Sequence, residues 1–252
     1  MSFDVAAEAY DSFMGRYSRP LAELFADSAR LPTRGRALDV GCGPGALTEV
    51  LAARFGETEV AGVDPSESFV AAASARHPWA DIRHGVAEHL PFDDDTFDAA
   101  LAALVVHFMT DAAAGAREMV RVTRDGGVVA ACVWDFAGGR APQSLFFSAL
   151  GSVVTGIDDE SQRAGAREGD LADLLTAAGC SAVGSSELVV SVDYATFDEW
   201  WTPYTLGVSP AGRQLAALSD RERAAVRARC QELLPNAPFT ITATAWSAGG
   251  EV

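Results

Sequence analysis

Apolar runs and helical repeats alternate along the first 135 residues of the chain. Short, nearly uninterrupted apolar runs are typical of strands that are buried on both faces of a sheet. Leu47, Leu51 and Phe55 are spaced four residues apart, and similar repeats between the other runs predict helices. The strands are predicted at 37–40, 59–64, 81–86, 97–104 and 128–134. This alternation predicts an α/β fold with a doubly wound, mostly parallel sheet.

The segment 6–30 has a helical pattern of its own. Tyr10, Met14 and Tyr17 fall near one face of the predicted helix. Pro20 is expected to divide the segment into two helices. The pattern is compatible with a helix that packs on a sheet edge and equally with a lid that covers a ligand pocket.

The chain after residue 135 departs from this alternation. Residues 136–168 are rich in glycine, serine and acidic residues, and an excursion of this length inside a compact domain is usually a lid or a substrate loop. Another strand is expected within 182–192. Thr196 and Ser219, each followed three residues later by glutamate, are typical first residues of helices.

The last predicted strand covers residues 239–246. Phe239, Ile241 and Ala243 alternate with threonines, so one face of this strand is apolar and the other is polar. Such alternation is typical of a half-buried strand at the edge of a sheet.

A glycine turn follows the first predicted strand in the stretch ALDVGCGPGALT, residues 37–48. Gly41, Gly43 and Gly45 stand at alternate positions, and Asp39 precedes the first of them by two residues. A glycine turn between a strand and a helix presents backbone N–H groups to a ligand. The same spacing also occurs in ordinary tight turns of α/β domains.

Asp64 ends the second predicted strand. A carboxylate at this position can accept hydrogen bonds from both hydroxyls of a ribose. It can instead cap the helix that follows. Together with the glycine turn, Asp64 indicates a nucleotide-type ligand at the carboxyl edge of the sheet.

Charge excludes several classes of function. The chain carries 35 acidic and 19 basic residues, a net charge of −16, and every basic residue is arginine. Without lysine there is no Schiff-base chemistry and no anchor for pyridoxal phosphate. The negative field opposes phosphate backbones and anionic lipids, so we expect neither nucleic acid nor membrane as a partner.

The cysteines and histidines show no metal-ligand spacing. The four cysteines are scattered, with no C-x-x-C pair, and no histidine pair has the spacing of a zinc site. No apolar run is long enough to span a bilayer, and no leader pattern opens the chain. We therefore expect no metal, and a reduced cytoplasmic protein.

Four motifs occur in a characteristic order: ALDVGCGPG, VAGVDPS, HGVAEHLPF and FDAALAALVVHF. In this order they resemble the class I S-adenosylmethionine (SAM) dependent methyltransferases, especially the ubiquinone and menaquinone C-methyltransferases and related small-molecule enzymes. The resemblance implies a single domain, 1–252, with a seven-stranded sheet whose last strand lies between its neighbours; it takes precedence over the edge-strand prediction. The implied parts are a helical lid at 1–30, a SAM-binding core at 36–135, and substrate-side insertions at 136–168 and 196–235.

The resemblance also assigns the cofactor site. The methionine part of SAM would be bordered by the glycine turn, the ribose would be held by Asp64, and the adenine would lie beside Pro65 and Ser66. Glu88 would contact the adenine amino group, because Val86 stands where the family often has an acid. Arg16 would face the SAM carboxylate from the lid. The full set is Tyr10, Met14, Arg16, Asp39, Gly41, Cys42, Gly43, Gly45, Asp64, Pro65, Ser66, Ala87, Glu88, Ala102 and Ala103.

An acceptor site is expected at the same edge of the sheet, between His107 and the insertion that begins after Trp134. His107 is the candidate catalytic base, or alternatively a core histidine. The candidate substrate residues, with core or dimer packing as the alternative, are Trp134, Asp135, Trp200, Trp201 and Tyr204. Aromatic side chains suit a flat molecule.

The predicted function is methyl transfer from SAM to a small aromatic or apolar metabolite, by a monomer or homodimer. Two alternatives stay open. The first is a SAM-binding sensor or scaffold that transfers nothing. The second is another nucleotide-binding α/β enzyme, such as an NAD-dependent dehydrogenase.

Overall fold

The computed structural model describes residues 10–252, so the first nine residues of the predicted lid lie outside the described part. A π-helical turn, Asp11–Gly15, leads into the first α-helix. The helices are α1 Arg16–Ser28, α2 Ala46–Phe55, α3 Glu67–Arg76, α4 Ala112–Val122, α5 Ser144–Val153, α6 Asp170–Ala178, α7 Phe197–Trp201, α8 Ser209–Ala216 and α9 Asp220–Leu233. The strands are β1 Ala37–Val40, β2 Val60–Asp64, β3 Asp81–His84, β4 Phe97–Ala103, β5 Thr123–Trp134, β6 Ser181–Tyr194 and β7 Phe239–Glu251.

The seven strands form one sheet in the order β3-β2-β1-β4-β5-β7-β6. Strand β7 runs antiparallel to both of its neighbours, β5 and β6, and the remaining pairs are parallel. The predicted α/β class and the seven-stranded, mostly parallel sheet are confirmed.

Strand β7 lies inside the sheet, so the edge-strand prediction from its alternation is wrong. Residues 239–243 pair only with β6, because β5 pairs with residues 245–251 and the backbone of Thr244 bonds to Asp135 and Arg140 just after β5. The alternating part of β7 therefore projects past the end of β5 and does have one open side. The part that lies between two strands is built mainly of small residues, which give no alternation to detect.

The helices cover both faces of the sheet. From β1 the chain crosses to β2 on one side, and from β4 it crosses to β5 on the other side. Because such crossovers are right-handed, α2 and α4 lie on opposite faces. Helix α1 packs on α2 and on β6, whereas α6 packs on α4 and on β7.

Helix α1 passes through Pro20 without a break, contrary to prediction. The irregular point falls at Gly15–Arg16, where the π-helical turn becomes an α-helix. The carbonyl that a Pro20 N–H would have bonded in an α-helix belongs to Arg16. The change of helix type at that residue accommodates the missing hydrogen bond.

The two insertions and the N-terminal helix meet above the carboxyl edge of the sheet. Helix α5 from the first insertion packs on α9 from the second. The Tyr204 ring stacks on Phe146, with 4.4 Å between centroids, and Phe13 packs against the same tyrosine at 5.0 Å. Aromatic packing therefore joins three distant parts of the chain into one cap.

The glycine turn after β1 yields a prediction about stability. Gly41 and Gly43 both have positive φ, +70° and +51°. A Cβ on Gly41 would lie 2.3 Å from Cγ2 of Val105, whereas a Cβ on Gly43 would meet nothing within 4 Å. We expect Gly41→Ala to lower the free energy of unfolding by about 1–3 kcal/mol more than Gly43→Ala, as overpacking does. Urea titration measures both, and equal losses would contradict the steric account.

Candidate active site

The turn after β1 is fastened to the end of β2. The backbone N–H groups of Gly41 and Cys42 both donate to the carbonyl of Val63, at 2.7 and 3.0 Å. The turn opens into a cavity at the carboxyl edge of the sheet, which we call the cofactor cleft. Its wall includes Tyr10, Asp39, Gly41, Cys42, Gly43, Ala103 and Leu104.

Asp64 joins the two turns that border this cleft. Its Oδ2 accepts from the N–H of Gly43 at 2.9 Å, and its Oδ1 accepts from the N–H of Ser66 at 2.8 Å. Burial raises the pKa of Asp64, and these two hydrogen bonds oppose the rise. The cap of α3 is Ser66, whose Oγ accepts from the Phe69 N–H, so the alternative that Asp64 caps this helix is wrong.

Asp39 is a second buried carboxylate on the cleft, with 1% of its surface exposed. The hydroxyl of Thr48 donates to its Oδ2 at 2.7 Å. Burial raises the pKa of Asp39 to about 7, although the Thr48 hydrogen bond opposes the rise. A cationic group of a ligand beside Asp39 would favour the ionised carboxylate.

Only some of the remaining predicted cofactor residues line the cleft. Ala103 lines it, whereas Ala102 is fully buried in β4. Gly45 precedes α2 in a left-handed conformation. The Pro65 carbonyl lies 3.1 Å from a ring nitrogen of His84, just beyond β2.

The structure places Arg16 away from the cleft, contrary to prediction. Its guanidinium pairs with Glu199 at 2.7 Å and donates to the carbonyl of Asp193 at 2.6 Å. It also lies over the ring of Tyr194, 4.6 Å from the centroid. These contacts attach the start of α1 to the end of β6 instead of aiming a charge at a ligand.

Glu88 is likewise engaged elsewhere. Its Oε1 accepts from the backbone N–H groups of Thr110 and Asp111, at 2.6 and 3.2 Å. The carboxylate therefore holds the loop that starts α4, in place of the adenine contact predicted for it. Ala87 beside it is buried.

Tyr10 separates the cofactor cleft from a second cavity. Its ring packs on Phe69 at 5.2 Å, and burial and then the charge of Asp64 raise the pKa of its hydroxyl. Tyr10 and Leu104 line both cavities, so the two adjoin. We call the second one the acceptor cavity; its wall includes Met14, His107, Phe108, Trp134, Phe136, Gln143 and Glu160.

Three residues of the acceptor cavity have a strained backbone. Leu104, Glu160 and Ser209 have φ of +61°, +65° and +69°, and all three line the cavity. Residues other than glycine rarely adopt this conformation, and such strain clusters at ligand sites. Half of the six such residues in the described chain border this one cavity.

His107 lines this cavity, in a 3₁₀ turn after β4. Burial, and then the charge of Arg163, lower its pKa to about 3. Its Nδ1 is buried without a hydrogen-bond partner in the described structure. A histidine with so low a pKa is neutral in ordinary buffers and suits hydrogen bonding better than storing a proton.

The predicted substrate residues divide into two groups. Trp134 lines the acceptor cavity, and Trp200 and Tyr204 line a gap next to it beside Met14. Asp135 is turned away: it accepts from the N–H of Gly138 and pairs with Arg140, which holds the turn after β5.

Trp201 is also outside the cavity wall, since it packs between Phe197 and Phe146 in the aromatic cap. Trp201 therefore has the core-packing role that was the alternative to substrate binding.

Sequence analysis missed two polar residues of the cavity, Gln143 and Glu160. Gln143 has no motif around it, and only the fold brings its amide to the sulfur of Met14, at 3.4 Å. Glu160 follows Asp158 and Asp159, a pattern that predicts an exposed acidic turn. Yet Glu160 is 2% exposed. Its loop is held by a residue far along the chain, because the Gln214 amide accepts from the N–H of Asp158 at 2.9 Å and donates to the Asp158 carbonyl at 2.8 Å.

In the part of the chain that the structure describes, no group of histidine, cysteine and acidic residues could hold a metal ion. Within the same residues, no helix combines the length and the apolar character needed to cross a bilayer.

Comparison with known proteins shows a sequence match over the central part of the sheet. Residues 38–131 match the family model described as a methyltransferase domain. Trans-aconitate 2-methyltransferase of Rhizobium rhizogenes is 32% identical over 126 residues, which is 50% of this chain and 48% of that protein. Demethylmenaquinone methyltransferase of Bacillus licheniformis is 36% identical over 39% of this chain and 44% of its own length. The chain thus spans about half the length of these relatives.

Solved structures extend the likeness in fold to nearly the whole chain. A putative methyltransferase from an antibiotic biosynthesis pathway of Anabaena variabilis has a TM-score of 0.64 at 18% identity, covering 91% of this chain and 98% of its own. The YcgJ protein of Bacillus subtilis has a TM-score of 0.61 at 22% identity, covering 92% and 97%. Residues 38–131 thus carry the sequence of a methyltransferase domain, and the solved methyltransferase-like structures share the fold of nearly the whole chain.

Proposed function

We propose that the protein transfers a methyl group from SAM to a small molecule bound in the acceptor cavity. The main observation that supports this proposal is that the cofactor cleft and the acceptor cavity adjoin and share Tyr10 and Leu104 in their walls. Such an arrangement suits direct transfer between two ligands.

The residues of the cleft fit SAM by their chemistry. Asp39 lines the cleft, and Asp64 accepts from the N–H of Gly43 in its wall. Both are buried carboxylates with raised pKa values, which suit a ligand that brings a cationic group and hydroxyls. When bound, SAM supplies a methyl group on a positively charged sulfur. The task of the chain is then to hold two ligands in line and exclude water, and such positioning contributes about 7–11 kcal/mol.

The methyl acceptors in the relatives' names do not identify the acceptor of this chain. The family match ends at residue 131, whereas Gln143, Glu160 and Ser209 of the acceptor cavity come later.

Formation of S-adenosylhomocysteine tests the proposal. The purified protein is incubated with SAM and a panel of amines, phenols, quinols and carboxylic acids, and we expect turnover with at least one class. Thermal stabilisation by SAM but not by NAD is expected in parallel. Stabilisation by NAD alone would favour a dehydrogenase, and SAM binding with no turnover across the panel would favour a sensor or scaffold.

Asp64→Asn should weaken SAM binding about ten- to a hundredfold, because a charged hydrogen-bond acceptor contributes about 1.5–3 kcal/mol. Asp173→Asn makes the same change on an exposed turn of α6 and should leave the affinity unchanged. Calorimetry on both variants measures the effect. Equal SAM affinities in folded proteins would remove Asp64 from the site.

The lid should release SAM faster when its contact with the glycine turn is cut. Asp11 pairs with Arg76 at 2.6 Å, and Arg76 also donates to the carbonyl of Pro44 at 3.4 Å. Because an exposed pair contributes about 0.2–1 kcal/mol, Asp11→Asn should speed SAM dissociation about 1.4- to fivefold.

The matched control is Asp27→Asn, which breaks the exposed pair with Arg54 at the other end of α1. Stopped-flow measurement of SAM dissociation compares the two variants. Identical rates in both would show that the Asp11 contact does not hold the lid.

A further inference from the structure

The acceptor cavity contains a carboxylate that neither fold nor cofactor binding accounts for. Glu160 is 2% exposed and lines the cavity. Its Oε1 lies 3.0 Å from Nη1 of Arg163, yet neither atom makes a hydrogen bond in the described structure. Arg163 also pairs with Asp158. Glu160 therefore shares its counterion with Asp158, and the ion pair leaves its buried Oε1 without a well-directed hydrogen bond.

Four polar atoms of the cavity residues are buried without a hydrogen bond in the described structure. Oε1 of Gln143 and Oε1 of Glu160 are acceptors, whereas Nδ1 of His107 accepts or donates according to its tautomer. The unpaired donor on the wall is Nε1 of Trp134. Because buried polar atoms are normally satisfied, this set fits a ligand that brings donors.

The charges near the cavity favour a cation over an anion. Glu160 interacts with Arg163, Asp158, Arg213 and Asp159, so three acids face two bases. Of the described residues, no arginine lines the cavity wall, and the sequence has no lysine. A carboxylate acceptor would be repelled here, because two negative groups in a poorly hydrated cavity oppose each other.

The walls of the cavity are aromatic. Rings of Tyr10, Phe108, Trp134 and Phe136 surround the space beside Glu160. Aromatic faces attract ammonium groups, and the attraction grows when water is excluded. A carboxylate among aromatic rings is therefore suited to an organic amine.

We infer that the methyl acceptor is a primary or secondary amine and that Glu160 binds it and takes its proton. This inference rests on the proposed function, since it names the substrate class of that site. Glu160 is thus a specificity-determining and catalytic residue.

The step balances without any further reactant. The bound ammonium gives one proton to the carboxylate of Glu160, which leaves a neutral amine and a neutral carboxylic acid. The nitrogen lone pair then forms a bond to the methyl carbon as the carbon–sulfur bond breaks, and its electron pair stays on sulfur. The positive charge moves from sulfur to the methylated nitrogen, and Glu160 later returns its proton to solvent.

The competing explanation is that Glu160 only holds the loop through Arg163. A binding experiment on the protein saturated with S-adenosylhomocysteine separates the two roles. The probes are 2-phenylethylamine, 2-phenylethanol and 3-phenylpropanoate, which share one ring and linker but carry an ammonium, a hydroxyl and a carboxylate. We expect the amine to bind at least about tenfold more tightly than the alcohol, and the carboxylate to bind most weakly.

Glu160→Gln keeps the size of the side chain and removes its charge. It should abolish the preference for the amine while leaving affinity for S-adenosylhomocysteine unchanged. Glu168→Gln is the matched control, an identical change at an exposed position of the same insertion, and should retain the preference. A merely structural Glu160 would leave the ratio of amine to alcohol affinity unmoved in Glu160→Gln.

The pH dependence gives an independent readout. Burial raises the pKa of Glu160 to about 7, with Arg163 opposing the rise. His107 stays neutral above about pH 4 because its own pKa lies near 3. As pH falls through about 7, Glu160 becomes protonated, so amine affinity should fall in the wild type. 2-Phenylethylamine stays protonated throughout this window, and Glu160→Gln should show no such fall.

The outcomes separate the two proposals. Equal affinity for the three probes, including no detectable binding of any, overturns the amine assignment, as does a preference that survives in Glu160→Gln. SAM binding and turnover with another acceptor class would still stand in those cases. Failure of the wild type to bind SAM would instead contradict the proposed function.

Discussion

A single buried carboxylate fixes the relation between the two turns on which the cofactor cleft depends. Asp64 accepts from Gly43 in the turn after β1 and from Ser66 in the turn after β2. Both donors are backbone groups, so the side chain positions main chain and not merely another side chain. The hydrogen bond from the Gly43 N–H to the Asp64 carboxylate holds the glycine turn in its shape. The cleft, Tyr10 above it and the cavity beyond it all follow from that geometry.

The core of the fold was predictable because burial on both faces leaves a strong local signal. Strands β1, β2 and β4 are apolar except for one aspartate each, and glycine or acidic residues follow them in the turns. The position of β7 was not predictable from its own residues, since only its overhanging half alternates. The predicted contact of Arg16 with the SAM carboxylate was wrong for a related reason. The partner of Arg16 is Glu199, which lies 183 residues away, and no local sequence pattern indicates that pairing.

The acceptor cavity was predictable only where strands deliver its residues. His107 follows β4, and Trp134 is the last residue of β5. The sheet therefore brings both residues to the same edge. Glu160 reaches the same place through an irregular loop, and its acidic neighbours suggest solvent exposure. Its loop is tied to Gln214, which is 56 residues beyond Asp158 in the sequence. Tertiary packing of this kind leaves no trace in any window of the sequence.

The interior place of β7 has a consequence for the order of folding during synthesis. Residues 239–251 leave the ribosome after β5 and β6, yet within residues 10–252 they alone join these two strands in the sheet. The five-stranded core can form while β5 still presents an open edge, whereas β6 has no partner until β7 arrives. An open edge invites pairing with other chains. The nascent protein is therefore most exposed to aggregation in the interval before its last strand is made.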